Sequence, residues 1–169
     1  MDVDANISPQ HIDPVAVLRQ TGEQLPTELL HRILALGKTA VEPLIEILVD
    51  EDLGCEDAPG EGWPPIHAVD LLVEMEAVEA IEPMLRVLAA TTWDEVIHDR
   101  IVLRLPKLGP AVLEPALARI EPRMAPDLHD AICSVLAKLG VRDERVYAEY
   151  PERGPRSSRN RDERAGSRG

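Results

Sequence analysis

A short pattern, of the kind that closes one helix and opens the next, recurs along this chain. Each copy has a Glu-Pro pair followed by apolar residues, and in two copies a Leu-Gly pair precedes it by a few residues. A longer match relates residues 97–109 to residues 128–140, 31 positions later, through a shared His-Asp pair and a shared Lys-Leu-Gly ending. A period in the thirties predicts stacked helical hairpins. The three copies are Leu36-Gly37 with Glu42-Pro43-Leu44, Glu82-Pro83-Met84-Leu85, and Leu108-Gly109 with Glu114-Pro115-Ala116.

Apolar residues recur at helical spacing between these signals, which predicts an all-α fold. Asp13-Pro14 is typical of a helix start, with a capping side chain followed by proline at the first helical position. Residues 50–62 contain six acids and three glycines without an apolar period, so they predict an inserted loop. The predicted helices cover a short capping helix from residue 14, a hairpin over 26–49, and the segments 64–75, 78–90, 93–109, 110–120, 126–140 and 143–150.

Composition divides the chain into three parts. Residues 1–12 lack periodicity and predict a flexible arm, and residues 13–150 predict one repeat domain. Residues 151–169 are rich in Arg, Ser and Gly and have no hydrophobic residue beyond Ala165. Such a segment buries too little surface to offset its ordering entropy, so we expect a disordered tail.

The charge is strongly acidic but uneven. The net charge is −13, and because the tail carries six arginines against three acids, residues 1–150 carry −16. An acidic body repels phosphate backbones and attracts basic partners, so we expect a basic protein or peptide as the partner and disfavour duplex nucleic acid. The absence of Phe, with only two Trp and two Tyr, also disfavours base stacking. As alternatives, the basic tail contacts nucleic acid by itself or folds back on the acidic body.

Cysteine usage and hydropathy set expectations for the compartment. The two cysteines, Cys55 and Cys133, show neither disulfide nor zinc spacing. The chain opens without a basic and apolar leader, and it contains no run of 18 apolar residues. We therefore expect a cytoplasmic protein that does not engage a membrane, and we expect a monomer.

The repeated residues resemble the HEAT-repeat superfamily, and within it the bacterial HEAT-like repeats first noted in phycobilisome lyases. The resemblance covers about residues 26–150 and is carried by Leu36-Gly37 through Leu48, Ala68 through Leu85, and Arg104 through Leu117. It implies a right-handed α-α superhelix of about four helical hairpins with capping helices, in which the second helix of each hairpin lines the concave side. Repeats of this kind serve scaffolds, adaptors, lyases and a few enzymes, so the fold does not fix the function.

The glutamates of the repeated pattern are the candidate site. Glu42, Glu82 and Glu114 precede the three prolines and are expected to stack in register on the concave helices, with Glu46 and Arg86 one turn farther along. Such a series suits a Lys- or Arg-rich extended segment, which predicts a non-enzymatic interaction scaffold. Alternatively, these residues are only the exposed glutamates common in the first turn of a helix.

A second interpretation is an enzyme that uses histidines. His98-Asp99 and His129-Asp130 occupy equivalent repeat positions, and packed neighbouring helices would hold their imidazoles about 10 Å apart. A HEAT-like di-iron hydroxylase family uses four His-Glu pairs, whereas this chain has two His-Asp pairs. A lyase-like or hydroxylase-like enzyme therefore stays an alternative, as does calcium binding by the acidic loop through Asp50, Asp52, Glu56 and Asp57. We expect no catalytic residue, metal or cofactor.

Overall fold

The computed structural model describes residues 12–145, and over this range the backbone contains α-helices and 3-10 turns but no strand. The prediction of an all-α fold is therefore confirmed for residues 12–145. Residues 1–11 of the arm expected over 1–12, most of the helix expected over 143–150 and the tail expected over 151–169 lie outside the described residues. The helices are α1 Pro14–Leu18, α2 Thr27–Ala35, α3 Val41–Val49, α4 Trp63–Glu74, α5 Ile81–Ala90, α6 Val96–Arg104, α7 Leu113–Leu117 and α8 Pro126–Leu139.

Several helix ends lie where local sequence signals predict them. The carboxylate of Asp13 accepts a hydrogen bond of 3.0 Å from the backbone N–H of Val15, so Asp13 caps α1. Gly37 follows α2 with φ 57°, and Gly140 ends α8 with φ 64°. Both backbones are in the left-handed region that glycine adopts without a steric penalty.

Helix α6 begins later than its sequence predicts. The sequence predicts a helix from residue 93, and Thr92 with Glu95 three residues later has the spacing of a capping box. The Glu95 carboxylate does accept a 2.7 Å hydrogen bond from the N–H of Thr92. The Thr92 hydroxyl, however, bonds to the carboxylates of Asp94 and Glu95 rather than to a backbone N–H. Residues 92–95 therefore form a turn, and the helix starts at Val96.

The end of α6 also differs from the expectation of a helix over 93–109. α6 ends at Arg104, and 3-10 turns occupy Leu105–Val112, broken at Gly109, where φ is 75° and ψ is −155°. Pro106 and Pro110 account for the change, because proline lacks the N–H that would continue an α-helical ladder. As a result α7 is short, and the predicted helix over 110–120 is α-helical only at Leu113–Leu117.

Helix α4 lies at the centre of the core. Nearly all its residues are buried, in contrast to the one-sided burial of α2 and α3, and it packs against α3 on one side and α6 on the other. Along the chain, α4 contacts α6 and α6 contacts α8, whereas α3 contacts α5 and α5 contacts α7. We call α4, α6 and α8 the first-helix layer, and α3, α5 and α7 the second-helix layer. One apolar cluster, from Val15 to Leu136, joins the two layers.

Candidate functional site

The three glutamates of the repeated pattern occupy equivalent positions. Glu42 lies in the first turn of α3, Glu82 in the first turn of α5 and Glu114 in the first turn of α7, and all three side chains are exposed. Carboxylates are favoured in a first turn by the helix dipole, and the proline that follows each one lacks an N–H that would have no partner there. Because α3, α5 and α7 pack in sequence, the three glutamates belong to one layer.

Two of these glutamates are paired with arginines from later in the chain. The Glu82 carboxylate accepts a 2.7 Å hydrogen bond from Arg119, which follows α7. The Glu114 carboxylate accepts hydrogen bonds of 2.6 Å and 3.1 Å from Arg145, which also binds Asp143. No local sequence signal predicts these partners, since the paired residues are 37 and 31 positions apart.

Arg145, Glu114 and Asp143 form an ion-pair group, called the Arg145 cluster, in which the pKa of each carboxylate is shifted. Hydrogen bonding to Arg145, followed by its positive charge, lowers the pKa of Glu114 below the usual glutamate range. Hydrogen bonds from the Arg145 side chain and backbone likewise lower the pKa of Asp143. The guanidinium has its own pKa raised by both carboxylates. Both carboxylates therefore remain ionised when the pH falls well below neutral, and each is paired with the Arg145 guanidinium.

The remaining predicted site residues are paired unevenly. Arg19, just after α1, lies 3.7 Å from the carboxylate of Glu46 and 3.3 Å from that of Asp50. Glu42 and Arg86 are exposed and form no ion pair with any residue in 12–145. The layer therefore offers one unpaired glutamate, Glu42, beside three glutamates that arginines already neutralise in part.

The two His-Asp pairs lie in different surroundings despite their equivalent sequence positions. The His98 ring is buried, and its Nδ1 lies 3.4 Å from the Thr91 hydroxyl oxygen. The His129 ring is half-buried, within 3.8 Å of both the Cys133 sulfur and a carboxylate oxygen of Asp130. In the described part of the chain, no group of three or more His, Cys, Asp or Glu side chains is arranged to hold a metal ion.

The acidic loop has a local structure of its own. Residues Glu51–Gly54 form a 3-10 turn, and the Asp50 carboxylate accepts a 3.2 Å hydrogen bond from the N–H of Asp52. The same carboxylate faces Arg19, so it is engaged in a turn cap and an ion pair. Asp50, the first of the four acids considered for calcium, is thus already committed to neighbouring protein groups.

The first-helix layer also contains an ion-pair cluster that no sequence signal predicts. Asp70 of α4 lies 2.9 Å from Nη1 of Arg100 and 2.8 Å from Nε of Arg104, both on α6. The contact with Arg104 lacks the alignment of a hydrogen bond, so it is electrostatic. All three side chains are largely shielded from solvent, and their contacts join α4 to α6.

No helix in residues 12–145 is both long enough and apolar enough to cross a bilayer. No protein-family model, curated protein or solved structure matches this chain.

Proposed function

We propose that this chain is a non-enzymatic interaction module, built as a right-handed HEAT-like superhelix, that binds a basic protein or peptide through its second-helix layer. The observation that carries the proposal is the common position of Glu42, Glu82 and Glu114 in the first turns of three helices that pack in sequence. In a stack of helical hairpins, each helix contacts the corresponding helix of the next hairpin, and both layers have such contacts. An extended basic segment lying across such a layer meets one carboxylate per repeat.

The intramolecular arginines are compatible with this role because their ion pairs are exposed. More than half of the Glu82 and Glu114 side-chain surface is accessible to solvent. Exposed ion pairs are weak because water screens both charges, so a ligand with several cations displaces them at small cost. In this proposal Arg119 and Arg145 occupy the glutamates until a basic segment replaces them.

The test is a binding titration with a defined basic probe. A fluorescein-labelled nona-arginine peptide is titrated with the full chain, and fluorescence anisotropy gives the Kd. In the double variant Glu42→Gln/Glu82→Gln we expect about fivefold weaker binding, which corresponds to about 1 kcal/mol for two exposed pairs. A rise in ionic strength from 50 to 300 mM should abolish most of the wild-type binding.

The matched control removes the same charge elsewhere. Glu28 of α2 and Glu74 of α4 are exposed and lie outside the second-helix layer. The double variant Glu28→Gln/Glu74→Gln should weaken binding by less than about twofold, because only the long-range field changes. Equal losses in both double variants would show that net charge alone attracts the peptide, and the proposed surface would be wrong.

A further inference from the structure

A cavity of about 180 Å³ lies between α5, the N-terminal half of α8 and the segment that leads from α7 into α8. Its inner wall is aliphatic, because Leu85 of α5 and Ile132 of α8 line it and are only 2% and 1% exposed. The half-buried side chain of Leu128 continues this wall. Apolar cavities of about 150 Å³ stay dry and accept a group the size of benzene, so this cavity has room for one branched aliphatic side chain.

The mouth of the cavity adjoins the second-helix layer. Among the described residues that line the cavity, only Arg119 and Glu121 are charged. Arg119 is the residue that donates the 2.7 Å hydrogen bond to Glu82, so one side chain belongs both to the cavity wall and to the row of glutamates. A ligand that displaces Arg119 from Glu82 therefore also uncovers the cavity.

Glu82 and the inner wall are close enough for one short ligand segment to contact both. Leu85 follows Glu82 by three residues in α5, and side chains with this spacing are neighbours on a helix surface. Three residues rise about 4.5 Å along a helix, and an extended segment covers that distance in one or two residues. The ligand residue next to the cation at Glu82 is thus held over the cavity.

The charges at the mouth fit a basic ligand, whereas the inner wall fits an apolar one. The side chain of Glu121 is exposed at the mouth, and Glu82 becomes available when Arg119 leaves it. A ligand made only of cations would pair with these carboxylates and leave the aliphatic wall uncovered. A segment in which cations flank an aliphatic side chain complements both parts of the surface.

We infer, in a step that rests on the proposed function, that the cavity receives a leucine side chain of the basic partner, next to the cation that binds Glu82. Insertion of this leucine removes apolar surface of the ligand and of the cavity from water. That contribution is not screened by salt, unlike the contribution of the exposed ion pairs. The partner is therefore a basic segment with a leucine within its run of lysine or arginine.

Two peptides of equal charge provide the test. One has leucine and the other has glutamine at the centre, each flanked by four arginines on either side and labelled with fluorescein. Anisotropy titrations with the full chain give the two Kd values. We expect the leucine peptide to bind about tenfold more tightly, because only its central side chain leaves water for the cavity. Equal Kd values would overturn the inference.

A variant that fills the cavity shows where the leucine binds. Ala89 of α5 lines the cavity and is exposed, and leucine is nearly as good a helix former as alanine. Ala89→Leu should reduce the preference for the leucine peptide to less than about twofold, since the new side chain occupies the space. Ala90→Leu is the matched control, because Ala90 is exposed on the same helix and does not line the cavity. If both variants keep the preference, or both lose it, the leucine binds elsewhere and the inference is wrong.

Methyl resonances give a second readout that does not depend on substitution. With the isoleucine δ1 methyl groups labelled with ¹³C, the leucine peptide should shift the resonance of Ile132 in the cavity wall. The glutamine peptide should not shift it. The resonance of Ile47, fully buried in α3, is the internal reference. A leucine preference that leaves the Ile132 resonance in place would contradict the assignment of the cavity.

The same titrations separate a failure at the cavity from a failure at the glutamates. The Kd of the glutamine peptide, and its response to Glu42→Gln/Glu82→Gln, report on the glutamates. The ratio of the two Kd values reports on the cavity. A glutamine peptide that does not respond to loss of the glutamates refutes the proposed function, whereas a ratio near one refutes only the leucine site.

Discussion

The carboxylate of Glu82 accepts a 2.7 Å hydrogen bond from Arg119, which lies 37 residues later in the chain. Glu114 has the same relationship with Arg145, 31 residues later. In both pairs a glutamate in the first turn of a second-layer helix meets an arginine supplied by the chain that follows. Basic ligands that approach this layer therefore compete with arginines of the protein itself.

The cluster around Asp70 is expected to stabilise the fold. Asp70→Asn removes the negative charge that faces Arg100 and Arg104 and leaves two shielded cations of α6 without a counter-charge. We expect the free energy of unfolding to fall by about 1–3 kcal/mol, as for hydrogen bonds and ion pairs of partly buried charged groups. Urea unfolding followed by circular dichroism measures the change.

Asp57→Asn is the matched control, since Asp57 is exposed in the acidic loop. Its effect should stay within about 0.5 kcal/mol. If the two substitutions have equal effects, the Asp70 cluster does not stabilise the packing of α4 against α6.

The end of α4 has a backbone strain that substitution should relieve. The N–H of Ala77 bonds to the carbonyl of Leu72 at 2.9 Å and the N–H of Glu76 bonds to that of Val73 at 3.0 Å, the two bonds of a Schellman motif. Glu76 occupies the left-handed position with φ 53°, where glycine is preferred. We expect Glu76→Gly to raise the free energy of unfolding by about 0.5–1 kcal/mol.

The neighbouring Glu74→Gly tests that interpretation with the same change of side chain. Glu74 lies within α4, where glycine costs about 1 kcal/mol relative to a good helix former. Thermal or urea unfolding should therefore shift in opposite directions in the two variants. Destabilisation by Glu76→Gly would contradict the assignment of strain.

A pH titration tests the Arg145 cluster. Arg145→Gln should raise the pKa of Glu114 toward the usual glutamate range, because it removes the hydrogen bonds and the charge that lower it. In the wild type the folded-state pKa lies below the unfolded one, so the pair stabilises the fold above the usual glutamate range and loses this contribution as the pH falls through the folded-state pKa. Carboxyl ¹³C NMR measures the titration.

Asp94 is the internal reference for that titration. The hydrogen bond from the Thr92 hydroxyl lowers its pKa, and Arg145 is not among the causes. The pKa of Asp94 should therefore be the same in wild type and Arg145→Gln. A Glu114 pKa that does not move would show that the Arg145 contact is not populated in solution.

Local chemistry made part of this fold predictable from the sequence. The Asp13 carboxylate caps α1 and Gly140 ends α8, as their sequence positions predict. Both signals act between residues a few positions apart, so nothing distant is needed to interpret them. The first-turn positions of Glu42, Glu82 and Glu114 were predictable for the same reason.

Features that depend on competition or on distant residues were not predictable. The Thr92 hydroxyl can accept a hydrogen bond from a backbone N–H or donate one to either of two nearby carboxylates. The sequence pattern does not determine which of these hydrogen bonds forms. The partners of Glu82 and Glu114 depend on how far one helix is shifted along the next. Arg86 lies one turn after Glu82 in α5, as expected, and it forms no ion pair within residues 12–145.

Titration of Arg119→Gln with the labelled nona-arginine peptide shows whether basic ligands bind at the second-helix layer. The variant frees Glu82, so we predict about two- to fivefold tighter binding than wild type, equal to about 0.5–1 kcal/mol. Lys138→Gln removes the same charge from the exposed surface of α8, in the other layer, and should tighten binding by less than about 1.5-fold. Unchanged or weaker binding to Arg119→Gln would contradict the claim that the second-helix layer receives the basic ligand.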